Sequence, residues 1–101
     1  KFDIRHYDML HEAILTTRSY TENSATQSFI ELVNEDTGEV IPNSTLSSSF
    51  TSYSGQLLIS PNIYKNFPQE EITLGLRLRS GKEGINVYIT GRSELILTRG
   101  N

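Results

Sequence analysis

His6, Asp8, His11 and Glu12 are the one group in the chain whose side chains could together ligate a metal. On a helix, the spacings of Asp8, His11 and Glu12 would bring them to one face. On a strand, His6 and Asp8 point one way and His11 the other, which scatters the ligands. A polar edge strand, or simply the first strand near the terminus, accounts for these residues without a metal, so no metal and no cofactor is expected. Asn34, Asp36 and Gly38 echo the start of a calcium loop, but the closing bidentate Glu is missing and a hairpin turn explains them.

Nucleophilic catalysis needs a base beside a Ser or Thr and a third group that orients the base. The only two His lie near one end of the chain, and no Gly-x-Ser-x-Gly elbow occurs. Glu70-Glu71 and Glu35-Asp36 are carboxylate pairs, yet neighbours on a strand point oppositely and both pairs sit beside turns, where charge is solvated. There is no glycine loop to cradle a phosphate. With no cysteine, disulfides, thiolate nucleophiles and Cys-ligated metals are excluded together. The expectation is a protein that is not an enzyme.

Binding chemistry is better represented. Arg77 and Arg79 fall on the outer face of the clearest strand, with Arg92, Arg99 and Lys82 as potential neighbours, and could bind an anionic sugar or an acidic partner. A solvated face with cross-strand ion pairs to Glu94 or Glu83 is the plainer explanation. Tyr53, Tyr64 and Tyr88 are expected at outward or loop positions, where an aromatic face can pack on the apolar side of a pyranose ring. Tyr is also simply a good strand former. The candidate binding residues are therefore Tyr53, Tyr64, Tyr88, Arg77 and Arg79.

The elements that must position them are strands. Ile72, Leu74, Leu76 and Leu78 alternate with Thr73, Gly75, Arg77 and Arg79, the period of a half-buried strand. Ser80 to Gly84 then reads as a turn, and Ile85, Val87 and Ile89 as the return strand of a hairpin. Ser93 to Thr98 forms a last strand after Gly91. Earlier, Ser28 to Val33 is a strand, Asn34 to Gly38 a turn, and Val40 and Ile41 the way back. In the Ser/Thr-rich stretch 44–55, Leu46, Ser48, Phe50 and Ser52 alternate with Ser47, Ser49, Thr51 and Tyr53, a strand that would bury Phe50. Gln56 to Ser60 follows, and Ile63, Tyr64 and Phe67 occupy a crossing that plugs one end of the core. The expected core is Phe29, Val33, Phe50, Leu57, Ile59, Ile72, Leu74, Leu76, Leu78, Ile85, Val87, Ile89, Leu95 and Leu97, with Ile30 and Leu32 exchanging for Phe29 and its face under a one-residue slip.

About seven or eight short strands in a chain of this size predict an all-β antiparallel sandwich or jelly roll. A single domain over 1–101 is expected, with 1–20 as a separate N-terminal strand or a short helix. The apolar fraction of 36% suits a thin sandwich whose strands bury one face. The formal charge of −3 offers no positive field for nucleic acid or anionic lipid. No run approaches the roughly 20 apolar residues of a membrane span, so no membrane insertion is expected. A chain opening on Lys1, without a signal segment, reads as a processed or excised piece. Asn43-Ser44-Thr45 matches a glycosylation acceptor, a frequent coincidence in so Ser/Thr-rich a chain.

The run Glu31-Leu32-Val33-Asn34-Glu35-Asp36-Thr37-Gly38-Glu39-Val40-Ile41-Pro42-Asn43-Ser44 resembles the first hairpin of small jelly-roll (C1q/TNF-like) head domains that tip phage tail fibres and collagen-like fibres. The later course is similar too: a Ser/Thr strand, an amphipathic strand, a Gly-bounded turn and a last strand through Leu95, Ile96 and Leu97. The resemblance implies a homotrimer that closes a fibre and presents a binding surface, with Ile30 and Leu32, or Ile96 with Tyr88, packed across the threefold axis. The leading expectation is thus a non-catalytic structural and adhesive domain, extracellular, on a cell surface or on a virion, engaging a glycan or protein receptor. A carbohydrate-binding module of a secreted enzyme is one alternative. A pilus-type subunit donating Lys1 to Tyr20 as a strand to its neighbour is another.

Overall fold

The computed structural model describes residues 1–7 and 10–99. After a 3-10 turn, Ile4–His6, come eight strands, with a second 3-10 turn, Tyr64–Asn66, between the fifth and sixth: β1 (Leu10–Thr21), β2 (Ser28–Asn34), β3 (Glu39–Val40), β4 (Leu46–Ser48), β5 (Gln56–Ile59), β6 (Leu74–Ser80), β7 (Val87–Ile89) and β8 (Glu94–Arg99). They form two antiparallel sheets of four strands each, and the chain is an all-β sandwich.

Both sheets are built on one plan. β1 carries β5 on one edge and β7 and β8 end to end on the other: Thr16 pairs with both Ile59 and Glu94, and Ser19 with both Gln56 and Ile89. β2 likewise carries β6 on one edge, with β3 and β4 end to end on the other. The N-terminal stretch that sequence leaves between helix and strand is therefore a central strand, hydrogen-bonded on both edges, rather than a polar edge. Every residue from Leu15 to Thr21 pairs with a neighbouring strand, and Thr16 and Ser19 pair on both edges, which decides the matter against a helical stripe.

Alternation assigns the two faces of each sheet. Ala13, Leu15, Thr17, Ser19 and Thr21 of β1 point inward and are buried, as are Ser28, Ile30, Leu32 and Asn34 of β2. The interior has two halves. One is apolar, where Ile4, Leu10, Ala13, Leu15, Leu32, Ile41, Ile63, Phe67 and Ile72 form a single cluster. The other is lined by hydroxyls: Ser19 Oγ donates to Ser28 Oγ at 2.7 Å across the sheets, Ser28 Oγ to the Ser48 carbonyl at 3.3 Å, and Ser48 Oγ to Gln56 Oε1 at 2.7 Å. Buried hydroxyls are tolerated only when bonded, and among the described residues no buried side-chain polar atom lacks a partner.

Several expected core positions differ. β2 adopts the slipped register, with Ile30 and Leu32 inside and Phe29 on the outer face beside Val33, which is nevertheless buried as expected, so Ile30 and Leu32 are not a trimer surface. On β5 it is Leu58, opposite inward-facing Thr17, that is buried, leaving Leu57 and Ile59 exposed on the outside. Leu76 shares the inner side with Leu32, but β6 is an edge strand and Leu76 stays 40% exposed. Phe50 lies beyond the short β4 and is also exposed, its carbonyl accepting from the Thr21 amide at 2.8 Å. β6 and β7 do not form the expected hairpin. They belong to different sheets, because the 81–86 connection crosses the sandwich instead of reversing within one sheet. Two turns follow expectation: Gly38 closes the β2–β3 hairpin at φ 81° with its amide on the Asn34 carbonyl, and Ile63 and Phe67 plug the apolar end.

Candidate functional site

The far end of β1 carries a group of three tyrosines. Tyr20 and Tyr88 are directly opposite each other on β1 and β7, on the outer face, and their rings stack with centroids 4.8 Å apart and planes 23° from parallel. Tyr53 meets Tyr20 edge to face, centroids 5.8 Å apart at 88°. Such pairs contribute about 0.5–1.5 kcal/mol each beyond the area they bury. Tyr53 itself is 84% exposed, an aromatic face held open to solvent.

Tyr53 is placed by the loop between β4 and β5. The Gly55 amide returns to the Ser52 carbonyl at 3.0 Å, closing a tight turn with Tyr53 near its tip. Gly55 has φ 72°, and a Cβ there would lie 2.5 Å from Thr90 Cγ2, so only glycine allows the loop to sit so close to β1 and the β7–β8 break. Arg18 donates to the Gly55 carbonyl at 3.4 Å from the outer face of β1.

A carboxylate completes the group. Glu22, just past β1, accepts from the Asn86 amide at 3.1 Å through one oxygen and from the Tyr88 hydroxyl at 3.3 Å through the other. Burial, and then the Glu22 charge, push the Tyr88 phenol above its ordinary pKa, so it stays protonated as a donor. Tyr20, Thr21, Glu22, Thr51, Tyr53 and Tyr88 enclose a groove of about 470 Å³. A larger recess of about 570 Å³ beside Ser24–Gln27 and Lys82 has Phe29 as its aromatic, and the Phe29 face is already covered by the Arg79 guanidinium at 4.4 Å.

Of the five residues singled out by sequence, Tyr53 and Tyr88 come together in the groove. Tyr64 does not: it sits half-buried in a 3-10 turn against the apolar core. Arg77 and Arg79 lie on the outer face of the other sheet, as expected, but neither pairs with Glu94 or Glu83. Both converge on Glu31, which is 1% exposed, with Arg77 Nε 2.7 Å and Arg79 Nε 3.4 Å from its Oε2, and Thr45 Oγ1 donates to Oε1 at 2.9 Å. Each guanidinium is thus anchored on Glu31 while about half of its side chain stays exposed. The metal candidates are dispersed: His6 lies 3.6 Å from Asp3 Oδ2 in the N-terminal turn, His11 and Glu12 are successive strand residues, and Asp8 lies outside the described residues. Sequence reading missed Tyr20 and Glu22. Their signal was the pairing of β1 with β7, which no local pattern encodes. No protein-family model, curated protein or solved structure matches this chain.

Proposed function

We propose that the chain is a non-catalytic recognition domain that binds a saccharide in the tyrosine groove, carried on a fibre head or surface appendage of a cell or virion. One observation supports this above all: an exposed Tyr53 face beside the stacked Tyr20–Tyr88 pair, with the Glu22 carboxylate fixed at its rim. Aromatic faces pack against the C–H side of a pyranose, and a carboxylate accepts its hydroxyls. The test is a titration of the isotopically labelled domain with neutral oligosaccharides, followed by amide shifts. Shifts confined to 20–22, 51–53 and 86–88 are expected, weakened about fivefold by Tyr53→Ala. Shifts elsewhere only, or none with neutral, amino or acidic saccharides, would refute it.

A second reading, self-association into a homotrimer, is favoured by a separate feature. Ile14 and Ile96 are cross-strand partners on the outer face of the β1 sheet, where Leu57 and Ile59 also project, and Ile96, Leu57 and Ile59 are each more than a third exposed. Exposed apolar side chains gathered on one sheet face mark contact regions. Donation of 1–20 to a neighbour would remove the central strand from its own sheet, which weighs against the pilus-type alternative.

A further inference from the structure

We infer that the groove selects amine-bearing saccharides, with Glu22 receiving the ligand's ammonium group. The inference rests on the saccharide reading above and narrows it. Among the six lining residues the single charge is the Glu22 carboxylate. Its two oxygens each accept one bond from the protein, from the Asn86 amide and the Tyr88 hydroxyl, so the group is oriented before any ligand arrives. A carboxylate offers about four lone-pair sites, which leaves acceptors for a ligand donor.

The surroundings point the same way. The Tyr88 proton is directed at Glu22, so the phenol reinforces the carboxylate's position instead of offering a rival anion. Tyrosine ring faces carry negative potential and attract cations within about 6 Å of the ring centre. Arg18, on the same sheet face, is turned to the Gly55 carbonyl and does not line the groove. The formal charge of −3 adds a weak field of the same sign. An acidic saccharide would meet an oriented carboxylate with no lining cation to offset it. A glucosamine unit, an ammonium in the mildly acidic buffer in which the test is run, meets a charge partner and the ring faces together.

The experiment is calorimetric titration of the whole chain with oligosaccharides of equal length: oligoglucosamine, its N-acetylated counterpart and oligogalacturonate. The expected order is amine, then N-acetyl, then acid, with the amine about three- to fivefold tighter than the N-acetyl form, as suits a partly exposed charge pair. That gap should shrink with added salt and vanish in Glu22→Gln, which keeps an oxygen for the Asn86 amide, while Tyr53→Ala weakens every ligand. Equal affinity for amine and N-acetyl forms, or a gap that survives Glu22→Gln or high salt, overturns the inference and leaves the saccharide reading standing. Absence of binding by all three ligands overturns both.

Discussion

At the scale of single residues, two carboxylates tie charge to stability. Asp3, its side chain 2% exposed, is gripped by Arg5 through Nε at 3.0 Å, Nη2 at 2.7 Å and the backbone amide at 2.9 Å. The Arg5 side-chain bonds above all hold its pKa down at about 2. Glu31 is pushed upward by burial, but the bonds from Arg77, Thr45 and Arg79 outweigh this and its pKa also ends below the ordinary carboxylate range. A carboxylate whose folded pKa is depressed contributes stability that is complete above its unfolded value and is lost as pH falls toward its folded value. Thermal stability should therefore hold steady above about pH 5 and decline between roughly pH 4 and 2. Asp3→Asn and Glu31→Gln should each flatten that decline in acid melts, and an unchanged slope in both would refute the assignment. Glu31→Ala is expected to cost on the order of 1–2 kcal/mol in chemical unfolding, since both arginines stay about half solvated.

At the scale of elements, register decides which apolar residues count. Leu32 and Leu76 face each other across β2 and β6, yet Leu32 is 5% exposed and Leu76 40%. Leu32→Ala should cost about 2–5 kcal/mol, and Leu76→Ala about 1 kcal/mol or less. Equal losses on urea unfolding would mean that β6 is covered on its inner side. The alternation of β6, the Asn34–Gly38 turn and the Ile63–Phe67 plug were legible because each is encoded within a few residues. The face chosen by β2 was not, since Phe29-Ile30-Glu31-Leu32-Val33 is apolar on both sides and burial alone selects one. The same limit hid the groove: Tyr53 and Tyr88 stood out as exposed aromatics, whereas Tyr20 became a partner only through the pairing of β1 with β7. Gly55 links this scale to the site. Gly55→Ala faces both a positive φ and the Thr90 methyl, so a loss of roughly 1–3 kcal/mol is expected, together with a changed near-ultraviolet signal from the tyrosines. An unchanged spectrum and stability would show that the loop does not depend on that turn.

At the scale of the molecule, the Cα atoms span 42 × 30 × 18 Å, and one end of this thin interior is lined by serine and threonine instead of hydrocarbon. Each hydroxyl bond there contributes about 1 kcal/mol net, less than the roughly 1.5–3 kcal/mol of a fully buried aliphatic side chain, so the sandwich gains less from its own core than an apolar one would. Meanwhile Ile14, Ile96, Leu57 and Ile59 share the outer face of the β1 sheet. Covering that face with copies of itself would supply apolar burial that the interior forgoes, and a closed ring of identical contacts stops at a finite size. The tyrosine groove opens on the same face at the far end of β1, so a trimer formed around Ile14 and Ile96 would hold three grooves near its rim. Sedimentation equilibrium over a concentration series should then give the mass of three chains, and Ile96→Glu should return it to one while leaving the β-sheet circular dichroism intact. A single-chain mass at every concentration would count heavily against the trimer. It would leave the proposed saccharide groove on a monomer, with Tyr53 as exposed in solution as the 84% seen for the isolated chain.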